Sequence, residues 1–106
     1  MIKPGFIYLL HCSNNDTYKI GVSKKPQERV KKLQTGNPNI ITLVDSYKCE
    51  QYFKVEKTLH KKYNTNKTES KNEWMYLTEE QVKNFKIDCE EICENMTYIF
   101  KNNPYL

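Results

Sequence analysis

Apolar residues arrive along this chain in short blocks whose spacing changes from one block to the next. Phe6 to Leu10 (FIYLL) is a strand-like run, and Tyr18 to Gly21 (YKIG) is a second, separated from it by the turn-rich gap Ser13-Asn14-Asn15-Asp16. Two β-patterned runs joined in this way predict a hairpin that brings Tyr8 and Lys19 close together. Ser23 followed by Pro26 is a helix-start signal, since proline is tolerated in a first helical turn. The helix is expected from about Pro26 to Thr35, with Val30 and Leu33 inward and Lys24, Lys25, Lys31 and Lys32 around its rim, stopping at Gly36-Asn37-Pro38. Ile40 to Tyr47 is rich in β-branched residues and reads as a third strand.

In the next stretch the period returns to that of a helix. Tyr52, Val55, Leu59 and Tyr63 mark one buried stripe of a helix from about Gln51 to Tyr63, and Glu56 and His60 lie one turn apart at the edge of that stripe. Residues 64 to 72 are polar without an apolar anchor, which predicts a mobile loop. Glu73 to Leu77 alternates like a short strand, and Thr78 with Gln81 forms a capping-box start for a helix through about Phe85. Ile92, Met96, Ile99 and Phe100 recur at helical spacing, so the tail is expected to add a helix that covers the core or meets a partner.

Composition narrows the classes available. A chain of 106 residues has room for one small core. Mean hydropathy is −0.83, so that core is thin, and the eight tyrosines, four phenylalanines and one tryptophan must supply much of its area. The net charge of +4 permits contact with a phosphate backbone, although nearly all the cations are lysines, a usage that AT-rich coding also produces. No stretch approaches the roughly 20 apolar residues that span a bilayer, and the short run at Phe6 to Leu10 lacks the features of a signal peptide. These readings predict an intracellular protein, cytoplasmic or nuclear, without membrane contact. Cys12, Cys49, Cys89 and Cys93 are then expected as reduced thiols in or beside the core, the alternative being a zinc site of His11, Cys12 and the Cys89/Cys93 pair.

The ordered series of motifs resembles a known family. Ile7-Tyr8 and Ile20-Gly21 match the ends of the two strand motifs of the GIY-YIG nuclease superfamily, with Phe6 in the place of its glycine and Lys19 in the place of its second tyrosine. The run Lys19-Ile20-Gly21, then Pro26 and Arg29, Leu33 to Pro38, Val55-Glu56, Leu59-His60 and Glu73-Trp74 is similar to the T5orf172 branch of that superfamily. The resemblance covers roughly residues 5 to 80. It implies an α/β fold with a small three-stranded antiparallel sheet flanked by helices, a nuclease-like domain over residues 1–87 and a helical extension over 88–106.

What the resemblance implies about chemistry falls on particular residues. Glu56 stands where the family places its metal-binding glutamate, and the cofactor implied is Mg²⁺ or Mn²⁺; read alone, Glu56 is a solvated helical carboxylate. Arg29 maps onto the family's arginine and can clamp phosphate oxygens in a planar fork. Tyr8 would orient or deprotonate a water, or else serve only as a core tyrosine. Lys19 could contact phosphate, act as a base if burial beside Arg29 lowers its pKa, or mark an inactivated site. His60 could assist metal or phosphate binding, or be an ordinary surface histidine. Lys24, Lys25, Lys31 and Lys32 are expected to track nucleic-acid backbone. Trp74 is expected to pack helix ends rather than stack on a base. The function implied is divalent-metal-dependent endonucleolytic cleavage of DNA, with a protein partner or homodimer supplying specificity. The alternative is a catalytically silent nucleic-acid or protein-interaction module.

Overall fold

The computed structural model describes residues 4–63 and 74–102. Strands β1 (Gly5–Cys12) and β2 (Thr17–Ser23) form the hairpin, helix α1 (Pro26–Gln34) follows, and β3 (Ile41–Cys49) returns to the sheet. Helices α2 (Tyr52–Lys62), α3 (Glu79–Lys83) and α4 (Phe85–Asn102) complete the chain. The sheet has the order β2-β1-β3 and is antiparallel throughout, so the strand that begins the chain is its centre. The expected three-stranded antiparallel α/β architecture is the one found.

Central position explains why FIYLL is apolar at successive residues instead of alternating: both faces of β1 are covered. Ile7 and Leu9 point to one side, where they join Ile20, Tyr52, Val55, Leu59, Tyr63, Phe85, Cys89 and Ile92 beneath α2 and α4. Tyr8 and Leu10 point to the other, where they meet Ile41 and the inner faces of Val30, Leu33, Leu43 and Trp74. Full burial of each large aliphatic or aromatic side chain contributes about 1.5–3 kcal/mol. All four members of the predicted α2 stripe are buried.

Local geometry accounts for the connections. Asp16 closes the hairpin turn with φ 54° and accepts a 2.6 Å hydrogen bond from the His11 imidazole. Gly36, φ 74°, takes the left-handed conformation that ends α1. The Gln34 side chain then staples that turn to β3, donating to the carbonyls of Asn37 and Asn39 and accepting from the Ile41 amide at 2.8 Å. Thr78 and Gln81 make the reciprocal capping box read from the sequence.

Four expectations change or fall on residues outside those described. The strand expected at Glu73–Leu77 is a single antiparallel bridge between Met75 and Tyr18. Glu73 itself and the loop of residues 64 to 72 lie outside the described residues. Phe85 does not end α3 but opens α4, because Asn84 caps the short helix and Phe85 is wholly buried in the core. Helix α4 runs unbroken across residue 87; Ile92 is buried and Met96 packs on the core, while the side chains of Ile99 and Phe100 lie outside the described set.

A polar triad around the buried Asp88 ties the end of α2 to α4. The Tyr63 hydroxyl donates to Asp88 Oδ2, and Lys62 Nζ lies 3.0 Å from Asp88 Oδ1. Asp88 is also in the first turn of α4, where a carboxylate complements the helix dipole. Burial and the Asp88 carboxylate together push the Tyr63 hydroxyl pKa far up, so this proton stays in place. Tyr63→Phe strips a donor from a buried carboxylate and is expected to lower stability by about 1–3 kcal/mol. Lys62→Met, at a half-exposed ion pair, should cost less; urea denaturation of the two variants measures the difference.

Candidate active site

Strand pairing decides which hairpin side chains can act together. Tyr8 pairs with Gly21 and Leu10 with Lys19, so Tyr8, Lys19 and Gly21 share the sheet face covered by α1, whereas Ile20 and Val22 face α2. The phenolic end of the Tyr8 ring, 2% exposed, lies over Gly21. A Cβ at position 21 would meet Tyr8 Cζ at 2.6 Å, so the glycine is required by the close approach of this ring. Tyr8 is thus both a core member, as its composition-based reading had it, and a wall of the surface from which Lys19 projects.

Lys19 is only 8% exposed. Burial lowers its pKa, and the positive charge of Arg29 lowers it further. The chain's one arginine, on α1, is near enough for its charge to act on the hairpin lysine. The Arg29 charge at the edge of this apolar wall favours an anion.

Arg29 also belongs to a basin on the outer side. Ser23, Lys24, Lys25, Glu28, Arg29 and Lys32 line a depression of about 220 Å³. Residues 25, 28, 29 and 32 follow helical spacing along one face of α1, with Lys25 3.9 Å from Glu28. The structure therefore gathers Lys24, Lys25 and Lys32 around Arg29 and leaves Lys31 on another, exposed part of the helix. In the sequence Ser23 reads only as a helix start and Glu28 is not singled out, although the helical spacing of Glu28 from Lys25 and Lys32 carries that signal.

Glu56 and His60 approach from the opposite layer. Tyr18 exchanges both backbone hydrogen bonds with Met75 across the outer edge of β2, so the Ile20 carbonyl, two residues on, points out of the same edge. His60 Nε2 lies 3.2 Å from that carbonyl and donates to it. The bond fastens α2 to the segment between Lys19 and Gly21. Glu56 Oε1 is 4.0 Å from His60 Nε2, an ion-pair separation too long for a hydrogen bond. The Glu56 side chain is 27% exposed, and burial raises its pKa, partly opposed by His60. Its charge is only partly compensated, which suits a carboxylate that meets a cation.

Trp74 lies against the cluster of Tyr8, Leu10 and Ile41, which Val30 and Leu33 of α1 also join, on the Lys19 face of the sheet. Among the described residues no three His, Cys, Asp or Glu side chains stand together as a metal cage. The zinc alternative fails on parity as well: His11 and Cys12 project from opposite faces of β1, and Cys89 is enclosed beneath α4. All four cysteines are free. No helix among the described residues is long and apolar enough to cross a membrane.

A three-stranded antiparallel sheet flanked by helices is the fold associated with a GIY-YIG-like nuclease domain. The family model described as the T5orf172 domain matches residues 5–90, and the chain belongs to that family. Comparison with curated proteins and with solved structures gave no match to either.

The depressed Lys19 pKa has a thermodynamic consequence. Folding disfavours the ammonium, so the unfolded chain binds more protons in the interval between the lowered folded pKa and the ordinary lysine value of 10.5. The contribution of Lys19 to stability is therefore unfavourable below that interval and is relieved as pH rises through it. Lys19→Met is expected to be more stable than the parent at neutral pH and to lose this alkaline gain. Urea midpoints measured from about pH 7 to the ordinary lysine pKa of 10.5 read both effects.

Proposed function

We propose that this chain is a divalent-metal-dependent endonuclease that hydrolyses DNA phosphodiester bonds. The observation that carries the reading is the convergence of Lys19 and Arg29 beside the Tyr8/Gly21 wall, within a T5orf172 domain. Arg29, exposed at the mouth of the basic basin, has the fork needed to hold two oxygens of the scissile phosphate and to stabilise the charge that grows on them. Lys19 is the base in this reading: burial and the charge of Arg29 both lower its pKa, the direction that favours a free amine able to take a proton from the attacking water. The Tyr8 hydroxyl orients that water. His60 acts through placement, holding α2, and with it Glu56 one turn away, against the Ile20 carbonyl.

The residues present fit a metal held by one protein ligand. Glu56, a part-buried carboxylate whose pKa is raised by desolvation, would hold Mg²⁺ or Mn²⁺, a hard cation that accepts a single carboxylate with the rest of its ligands from water and substrate. When bound, Mg²⁺ or Mn²⁺ supplies charge neutralisation at the phosphate and the leaving oxygen.

Lys19 in place of the family's second tyrosine also favours another reading, a silent module that binds without cutting. Plasmid nicking with Mg²⁺ and Mn²⁺ separates the two. The parent is expected to nick, Glu56→Ala to lose activity, and Lys19→Ala to fall by about a hundredfold with little change in DNA affinity, its pH–rate profile losing the limb that Lys19 sets. A parent that cleaves nothing with either metal would move the case to the silent module.

Binding gives a separate check. Replacing Lys25 and Lys32 together should weaken association across sequences and reduce the slope of log affinity against log salt by roughly 2, about 0.9 for each phosphate that is no longer neutralised. Lys31→Ala, outside the basin, should change that slope less. Anisotropy titrations over a range of salt concentrations measure it.

A further inference from the structure

The polypeptide crossing the outer edge of β2 carries a second ring whose position follows from parity. Tyr18 and Met75 exchange two backbone hydrogen bonds of 2.7 and 2.8 Å, so their side chains share a face. Tyr18 is on the α2/α4 side, its ring 4.9 Å from His11. Alternation then sends residues 74 and 76 to the opposite side and returns 77 to the first. The packing agrees: Trp74 lies against Tyr8 and Leu10, and Leu77 against the α2/α4 core. Tyr76 is thereby assigned to the face of Lys19 and Arg29, and it is 78% exposed.

The same register sets Trp74 beside Lys19 and Tyr76 beside Thr17, two residues or roughly 7 Å further along the strand. That distance is comparable to one nucleotide of extended strand. The line along this face therefore runs from the cationic basin at Ser23, past Gly21 and Lys19, to an exposed aromatic ring near the hairpin turn. Cations that follow a phosphate backbone, flanked by an exposed ring, are the combination with which proteins hold single-stranded nucleic acid, because every base offers a π-face to stack. A base inside a duplex has both faces covered and cannot reach the ring.

We propose that Tyr76 is a stacking platform for an unpaired nucleobase next to the phosphate held by Arg29. The substrate class is then DNA with unpaired nucleotides beside the cleavage point, such as an overhang or a bubble. This rests on the nuclease reading above, and deepens it by naming the substrate.

The test uses the full chain and two fluorescein-labelled DNAs in low-salt buffer without divalent cations: a blunt duplex, and the same duplex with a thymine overhang. The parent should bind the overhang DNA more tightly than the blunt one. Tyr76→Ala should weaken overhang binding by roughly tenfold and leave blunt binding unchanged, while Tyr76→Phe, which keeps the ring, should match the parent. Circular dichroism of Tyr76→Ala should match the parent, as expected for so exposed a side chain. The proposal is overturned if Tyr76→Ala binds the overhang DNA like the parent, or weakens equally on both DNAs. Those outcomes leave the nuclease reading standing. A parent that binds neither DNA overturns both.

Discussion

Burial of β1 on both faces is the constraint on which this structure depends. A three-stranded sheet is too small to form a core from one side, and a chain with so few apolar residues cannot spread them widely. The solution is a central strand whose alternate side chains nucleate two clusters: Ile7 and Leu9 under α2 and α4, Tyr8 and Leu10 under α1. Each layer is anchored to the same short strand. The site inherits its position from this arrangement, since Lys19 and Gly21 are the β2 partners of Leu10 and Tyr8.

Much of this is legible in the sequence because the signals are local. The FIYLL run and the turn at residues 13–16 specify a hairpin, the spacing of Tyr52, Val55, Leu59 and Tyr63 specifies one buried helical face, and Gly36 marks a helix end through a conformation that other residues resist. The strand expected from the aromatic alternation around Trp74 is a different matter. Alternation reports that successive side chains face opposite ways, and one bridge at Met75 is enough to produce that pattern without a ladder.

The site is legible as a set of residue types and less so as a geometry. Arg29 and Lys19 can be read together because a hairpin followed at once by a helix leaves little freedom in how they meet. The attachment of His60 to the Ile20 carbonyl cannot, since a backbone acceptor forty residues away leaves no mark on the sequence. Lys31 illustrates the opposite error. Four lysines close in sequence look like one patch, but helical geometry turns one of them away from the basin. Trp74 is hard to place for a similar reason, because its partners on β1 are distant in the chain.

The parity that places Lys19 has a consequence for how such domains can change over time. A strand side chain switches faces with every residue, so inserting or deleting one residue between Asp16 and Lys19 could leave β2 paired to β1 while turning the lysine from the arginine layer toward α2. Adding two residues in the turn would preserve the facing. Length variation in this hairpin should therefore be filtered by odd and even counts: descendants keep the site in even steps, and an odd step yields a folded domain with its chemistry facing the wrong way. The Asp16 turn, held in a left-handed conformation and bound to His11, is where that count is kept.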